Sequence, residues 1–422
     1  MSREYKKTIL DNGLRVLSLP LKERKGVAVG VWLDVGSRDD PPGHEGIAHL
    51  VEHLMFKGTE NRTALEIAKE LEIVGGTGDA YTSREETCYY AYLPATELPL
   101  ALDIIGDMIA HSKIEEESFR RETGVVLAEM AEIEDSPPET AQEMFAEILF
   151  GDHPLGRPIL GTPNGVTSST REDILGFIQE NYISGKAVVA AVGNVDHEQL
   201  CRLASEYIIL PNGSTGNGRT KPVELSAKEF RLIRKDCGMV NCILGGRIFP
   251  YRDERRYPLA ILDKLLGVGP SSQLFNRIRE EAGIGYDVHS FVEYFQDCGM
   301  WGVFGAFEAK SASRFFKLLR DILDDLAGES IDRITFDETI NGLCGRLLLQ
   351  QDSMSSMLNR LAENELHLGR FISVEESIER LHAVTPDDVR DLAAELFALE
   401  SISGLALGPV NDKTRPDWLG TG

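Results

Sequence analysis

Two histidines and a glutamate lie close together in one helix-forming segment of the chain. His49, Glu52 and His53 occur within residues 46–56, which are otherwise mostly apolar. Residues four apart lie one above the other on an α-helix, so His49 and His53 can bind the same metal ion. Glu52 then lies on nearly the same face, which is the arrangement that two neutral imidazole ligands beside a carboxylate base require.

The spacing of this segment is uncommon by chance. With 9 His and 68 acidic residues in 422, random order gives roughly 0.03 matches to His-x-x-acid-His. The alternative is an amphipathic helix that exposes two polar histidines to water. Leu50, Val51 and Leu54 favour a largely buried helix instead. Polar side chains in such a helix need partners, and a metal ion would satisfy all three.

The composition is that of a globular protein with two or more domains. The formal charge of −24 argues against nucleic acid and anionic membranes as partners. The sequence shows no apolar core of a signal peptide and no apolar stretch near the length of a membrane span.

The cysteines include no C-x-x-C pair, which indicates reduced thiols, and we therefore expect a cytoplasmic protein. They are Cys88, Cys201, Cys237, Cys242, Cys298 and Cys344.

A segment rich in Gly, Asn, Ser and Thr divides the chain near its middle. This composition predicts a linker at 213–224, because the segment has few side chains to bury. We expect an N-terminal domain at 1–212 that contains the histidine pair, and a C-terminal domain of similar fold at 225–422.

The two halves show the same order of predicted elements, β-α-α-β-β-α. In the first half the histidine helix is flanked by strands at Val27–Val35, Gly78–Ser83 and Glu86–Leu93 and helices at Ala64–Val74 and Glu97–His111. In the second half the strands are Val240–Arg247, Asp287–Phe295 and Gly299–Ala306 and the helices are Arg256–Leu266, Gln273–Ala282 and Ser311–Ala327. The recurrence indicates an internal duplication. The predicted fold class is α+β, with two homologous domains that each have a mostly antiparallel sheet covered by helices.

A catalytic zinc ion usually has three protein ligands, so a third must come from another segment. The best region is the acidic stretch 120–134, which predicts a long helix. Glu122 and Glu129 are two turns apart and lie on one face of it. The other acidic residues of the stretch are typical of a solvated helix face, and spacing alone does not decide which acid is the ligand.

Several motifs together resemble a known family. His-x-x-Glu-His reverses the commoner zinc motif and is the mark of the inverzincins. The whole chain resembles the insulysin, pitrilysin and mitochondrial processing peptidase family in its short bacterial form. Some members of that family are twice as long, and this chain resembles one half of such a member. The likeness covers nearly all 422 residues. The segments that carry it are Thr8–Val16, Val35–Arg38, Phe56–Thr59, Thr82–Thr87, His153–Thr162, Val192–Val195 and Ser271–Phe275.

The resemblance implies one Zn²⁺ per chain and selects its third ligand. In the family this ligand lies 76 residues after the second histidine, which is Glu129 here. His49, His53 and Glu129 would bind the metal, and Glu122 would support the site through hydrogen bonds. Glu52 would take a proton from metal-activated water and pass it to the leaving amine.

The resemblance also implies residues that bind the substrate. Arg279 and Tyr286 match a family motif that binds substrate and stabilises the reacting carbonyl; without the resemblance they are typical of a surface helix charge and a half-buried strand aromatic. Gly78, Asp79 and Ala80 match a sheet edge that binds a peptide as an added strand. The family usually has Asn at the position of Asp79. A carboxylate cannot donate as an amide does, so Asp79 either favours a basic substrate residue or has lost this contact.

The resemblance implies a zinc-dependent endopeptidase that hydrolyses peptides or unfolded segments inside a chamber formed by a homodimer. Peptides are then the expected partners, without nucleic acid or membrane. One alternative is a non-catalytic scaffold or binding subunit of the same fold. Such members usually lose zinc ligands or the base, whereas all four of these residues are present here. Another alternative is the active subunit of a heterodimeric processing peptidase.

Overall fold

The structure, a computed structural model, describes residues 5–213, 216, 218–223, 228–328 and 331–419. Its strands are β1 (Lys6–Ile9), β2 (Arg15–Pro20), β3 (Gly26–Leu33), β4 (Thr77–Thr82), β5 (Thr87–Pro94), β6 (Ala187–Gly193), β7 (Phe230–Arg234), β8 (Val240–Ile248), β9 (Asp287–Tyr294), β10 (Gly299–Phe307) and β11 (Ser403–Gly408). Its helices are α1 (Ile47–Met55), α2 (Ala64–Ile73), α3 (Leu98–His111), α4 (Glu116–Asp135), α5 (Pro137–Phe150), α6 (Pro163–Ser168), α7 (Arg171–Asn181), α8 (His197–Tyr207), α9 (Arg256–Leu266), α10 (Ala312–Gly328), α11 (Arg333–Gln350), α12 (Met354–Leu368), α13 (Val374–Ala383) and α14 (Pro386–Leu396). No helix among the described residues has the length and apolar character needed to cross a lipid bilayer.

The described chain forms two compact units. Unit 1 consists of Met1–Ala131, Arg157–Thr220 and Gln350–Phe371. Unit 2 consists of Glu132–Gly156, Lys221–Leu349 and Ile372–Gly422. These units differ from the two predicted sequence domains in two segments, one containing α5 and the other containing α12. The domain limits at 212 and 225 stay a prediction.

The sheet of unit 1 has the strand order β1-β2-β6-β3-β5-β4. Neighbouring strands run antiparallel except β2 and β6, which are parallel. In β3 the alternation of side chains places Val29 and Val31 on one face, in a core with α1, α3, α7 and α8. Trp32 lies on the other face, where Leu358 and Leu361 of α12 pack against the sheet. Both faces are therefore buried, which explains why β3 and β6 are almost wholly apolar.

The sheet of unit 2 has the order β7-β11-β8-β10-β9. Apart from β1, the sheet of unit 1 has the same order. Without β1, the strand that comes first in the chain and the strand that comes last are parallel neighbours in each sheet: β2 and β6 in unit 1, and β7 and β11 in unit 2. On one face of the second sheet α9, α10 and α14 contribute to the core. Phe145 and Leu149 of α5 pack on the other face, against Phe304 of β10. The repeated topology agrees with the internal duplication that the order of elements indicated.

The fold class predicted from the sequence is confirmed. The predicted strands and helices occur within about four residues of their expected ends. The sequence predicts an α-helix at Gln273–Ala282, whereas the structure has a π-helix at Phe275–Glu281. Two glycines in the left-handed region, Gly283 and Gly285, follow it and turn the chain directly into β9.

The predicted linker contains a buried side chain, which the sequence did not indicate. Arg219 contacts Asp34 at 2.8 Å and Asp39 at 2.5 Å, and its side chain is only 6% exposed. It also donates to the backbone oxygen of Glu85 at 2.8 Å. This end of the segment is therefore anchored in unit 1, whereas positions 214, 215, 217 and 224 lie outside the described residues.

Replacement of Arg219 by Met is expected to lower the free energy of unfolding by about 3 kcal/mol, because it leaves buried carboxylates without their cation. Urea denaturation of the whole chain, followed by tryptophan fluorescence, measures the change. The control is Arg120→Met, which removes an arginine whose side chain is 76% exposed. Equal denaturation midpoints for both variants would show that the buried ion pairs contribute nothing.

Candidate metal centre

Helix α1 carries the histidine pair and is fixed at its N-terminus by a buried carboxylate. Asp40 accepts hydrogen bonds from the backbone N–H groups of Gly46 at 2.6 Å and Ala48 at 3.0 Å. These are donors that the helix itself cannot satisfy. Burial raises the pKa of Asp40 to about 8, although both hydrogen bonds oppose this shift. The carboxyl group of Asp40 therefore helps to orient the start of α1.

Two glycines allow the turn before α1 to pack closely against a neighbouring segment. Gly46 has φ of +101°, and a Cβ atom there would lie 2.3 Å from the backbone oxygen of Leu160. A Cβ atom on Gly161 would lie 2.0 Å from the backbone oxygen of Glu45. Because no other residue fits such backbone-to-backbone contacts, these glycines fix the position at which α1 begins.

Helix α4 brings the two predicted glutamates to α1. Its apolar contacts come from Phe119 and Val126, which are buried in the core of unit 1, and from Met130, which packs against that core. Glu122 lies on the same stripe and is 3% exposed. Glu129, two turns later, is the more open of the two, with a side chain that is 37% exposed. The predicted stacking of these carboxylates on one helix face is observed.

The structure brings His49, His53 and Glu129 together. Oε2 of Glu129 lies 3.5 Å from Nε2 of His53 and 3.9 Å from Nε2 of His49. One ligand atom from each of the three residues lies within 4.8 Å of the others. Two ligands of a tetrahedral zinc ion are separated by about 3.3 Å, given metal–ligand distances near 2.0 Å. The two distances from Glu129, 3.5 and 3.9 Å, are slightly longer than that value.

The protonation of these groups also favours a cation between them. Nδ1 of His53 lies 3.4 Å from Oε2 of Glu122, so a neutral imidazole donates from Nδ1 and presents the lone pair of Nε2 to Glu129. Burial lowers the pKa of His49 to about 4, with a smaller contribution from His53, so this ring is neutral at pH 7. In that tautomer of His53, a cation bound beside Nε2 could accept its lone pair and also contact the carboxylate of Glu129. The donor set therefore fits zinc.

Glu52 lies beside the pair and has a defined partner. Its Oε2 accepts a hydrogen bond of 2.6 Å from Oγ1 of Thr82, at the end of β4. Burial raises the pKa of Glu52, while the hydrogen bond from Thr82 opposes the shift. A carboxyl with a raised pKa is a better proton acceptor than an exposed one, which suits a general base.

The predicted substrate strand is β4, which is the edge of the sheet in unit 1. Ala80 packs against the same core as α1, whereas Gly78 and Asp79 are exposed. The side chain of Asp79 accepts a hydrogen bond of 2.9 Å from the backbone N–H of Ala80. Asp79 thus has a local partner. Strand β4 pairs with β5 on one side only, and its other side is the edge of the sheet.

Arg279 and Tyr286 lie side by side in unit 2. The guanidinium of Arg279 lies 4.7 Å from the ring centroid of Tyr286 and 4.7 Å from that of Phe275. Tyr286 is 76% exposed, so its hydroxyl is available to a ligand. The two residues are seven apart, and the π-helix together with the two following glycines brings them into contact. π-Helical segments are frequent at functional sites.

Comparison with known proteins identifies the family. The family model described as insulinase (peptidase family M16) matches residues 15–163, and the one described as peptidase M16 inactive domain matches residues 168–343. An uncharacterized zinc protease of Streptomyces coelicolor is 36% identical over 97% of this chain and 90% of its own length. The chain belongs to the insulinase family.

Other known proteins are similar over nearly the whole chain. An uncharacterized zinc protease of Bacillus subtilis is 31% identical over 93% of this chain and 95% of its own length. The crystal structure of a protease from Helicobacter pylori covers 96% of this chain and 100% of its own, with a TM-score of 0.91 and 23% identity, which shows a shared fold. The names of the sequence relatives support a peptidase and imply zinc as its metal.

Three residues near the candidate metal ligands were not assigned from the sequence: Asp40, Thr82, and Lys57, whose Nζ lies 2.9 Å from Oε2 of Glu122. Asp40 lies outside the helix that it caps, six positions before Gly46. Lys57 and Thr82 lie in motifs that carry the family resemblance, but no local pattern gives either of them a role. Periodicity describes faces of a single helix or strand, and these contacts join separate elements.

Proposed function

We propose that this chain is a zinc-dependent endopeptidase whose metal ligands are His49, His53 and Glu129. The observation that carries the proposal is the convergence of two imidazole Nε2 atoms and a carboxylate oxygen, with Glu122 at the far nitrogen of His53. Three protein ligands leave one tetrahedral position for water or substrate, which is typical of catalytic rather than structural zinc sites.

The chain's own residues would move the protons. When bound, zinc polarises water and the scissile carbonyl. Glu52 accepts a proton from water at Oε1, because Oε2 is occupied by the hydroxyl of Thr82. The same carboxyl then donates this proton to the nitrogen of the leaving amine. The hydrogen bond from Thr82 restrains the Glu52 carboxyl and leaves Oε1 free of that contact.

Strand β4 would hold the substrate in an extended conformation. A peptide that adds to this edge binds mainly through its backbone, and the sequence preference is then loose. Gly78, Asp79 and Ala80 are the residues of this contact. Peptides and unfolded segments can extend in this way most readily, because their backbone N–H and C=O groups are not already paired within a fold.

Arg279 and Tyr286 would bind substrate and donate to the reacting carbonyl, as the family resemblance implies. Their mutual contact supports a joint role, because a cation over the aromatic ring orders both side chains. The working form is proposed to be a homodimer that encloses a chamber. Its location is proposed to be cytoplasmic.

The test is cleavage of an unfolded peptide mixture by the purified chain, followed by mass spectrometry. We expect cleavage at internal bonds, complete loss after zinc removal with a chelator, and recovery after one equivalent of zinc per chain. Analytical ultracentrifugation of the same sample should give a dimer. Zinc binding without any cleavage would favour a scaffold or binding subunit and contradict the proposal.

A further inference from the structure

A lysine outside the ligand set contacts the metal centre indirectly. Nζ of Lys57 lies 2.9 Å from Oε2 of Glu122, and the same oxygen lies 3.4 Å from Nδ1 of His53. We infer that Lys57 is a positioning residue of the metal centre, which acts through Glu122 to hold His53 in its metal-binding orientation. The inference rests on the proposed function, since it concerns the same ligands.

The shared oxygen explains why a lysine is needed. Glu122 is 3% exposed, so water does not stabilise its charge, and its other nearby cation, Arg121, lies farther away at 3.8 Å from Oε1. The histidine ring can offer only one N–H to this carboxylate. An ammonium group at 2.9 Å fixes the position of Oε2, because a charge-assisted contact is stronger and shorter than a neutral one.

Charge compensation leads to the same conclusion. Glu52, Glu122 and Glu129 place three carboxylates around the two histidines, and each ionised carboxylate carries one negative charge. A divalent zinc ion balances two of them. Lys57 supplies a positive charge at the carboxylate that does not bind the metal, and without it this buried anion would keep only the longer contact of 3.8 Å with Arg121.

The backbone of Lys57 is held on both sides, so its side chain extends from a fixed point. The N–H of Lys57 donates to the backbone oxygen of Leu54 at the end of α1, at 3.1 Å. The oxygen of the next residue, Gly58, accepts from the N–H of Lys113 at 3.2 Å, in the segment that leads to α4. The lysine therefore joins the helix of the histidines to the helix of the glutamates.

The two histidines are held differently. Nδ1 of His49 is buried and has no hydrogen-bond partner among the described residues, whereas Nδ1 of His53 faces Glu122. The orientation of His49 thus depends on packing alone. Loss of the contact between Lys57 and Glu122 is expected to affect the metal through His53.

The experiment measures zinc affinity by competition with a chromophoric chelator, with no use of peptidase activity. We expect Lys57→Met to weaken zinc binding by about 10- to 100-fold, as is typical when groups that orient metal ligands are removed. Lys57→Arg keeps the charge and should stay within about threefold of wild type. Lys310→Met is the control for the lost charge, because Lys310 is 81% exposed and pairs with Glu308 in unit 2.

A double-mutant cycle distinguishes positioning from a general loss of stability. If Lys57 acts through Glu122, Lys57→Met should have no further effect on zinc affinity in a Glu122→Gln background. Thermal melts of the zinc-free proteins verify folding, and Lys57→Gln replaces Lys57→Met if the latter does not fold. An unchanged affinity, or an additive loss in the double variant, would overturn the inference. A zinc affinity that Glu129→Gln leaves unchanged would instead contradict the proposed function.

Discussion

Glu52→Gln is expected to abolish peptide cleavage while the chain still binds zinc. An amide has nearly the shape of a carboxylate but accepts no proton, and removal of a general base typically costs 10²- to 10⁴-fold in rate. We expect kcat/KM to fall at least about a thousandfold, because the same residue also returns the proton to the leaving amine. The measurements are kcat/KM for a fluorogenic peptide and zinc content by atomic emission.

A matched variant separates this effect from a change of surface charge. Glu72 is exposed at the end of α2, and Glu72→Gln removes the same charge from the same unit without a contact to the histidines. This control should cleave peptides at the wild-type rate. Cleavage by Glu52→Gln within tenfold of wild type, with zinc bound, would remove Glu52 from the mechanism and leave the metal assignment intact.

Glu129→Gln is expected to weaken zinc binding by about 10²- to 10³-fold, since structural zinc sites derive about 10–16 kcal/mol from four ligands. An amide oxygen is a poorer zinc ligand than a carboxylate because it carries no charge. Activity should be lost at ordinary zinc concentration and should return in part when zinc is raised. Equilibrium competition with a chelator measures the affinity, and peptide cleavage over a zinc titration measures the recovery.

Helix α4 also provides the control for this substitution. Glu132 is three residues later on the same helix and is exposed. Glu132→Gln should bind zinc as the wild type does. If both variants bind zinc equally, Glu129 is not a ligand, and Glu122 becomes the acid to test next.

The elements of the site could be predicted because their patterns are local. Helix α1 shows its buried face in residues such as Leu50 and Val51, and the same 3.6-residue period places His49 and His53 together. The stacking of Glu122 and Glu129 follows from the same geometry. Their meeting with α1 was given by the family resemblance, because the residues alone left the choice of acid open.

Only the tertiary structure shows which sheet each long helix covers. α5 precedes the predicted linker but packs on the sheet of unit 2, and α12 follows the linker but packs on the sheet of unit 1. An amphipathic helix specifies that one face is buried, and it does not specify the partner. The two sheets have the same strand order apart from β1, and each has an apolar face that such a helix can cover. The sequence pattern is therefore compatible with either sheet.

By itself the sequence determined the fold class, the extent of about half of the elements, the histidine pair and its neighbouring glutamate. Those properties depend on residues within one or two turns of each other, where backbone geometry fixes the spacing. The tertiary structure decided which groups surround them: Asp40 at the start of α1, Thr82 at Glu52, and Lys57 at Glu122. Each of these is one polar contact between separate elements, and a single contact leaves no periodic trace in a sequence. It forms because the packed cores bring the elements together, and it then sets the orientation of the chemical groups.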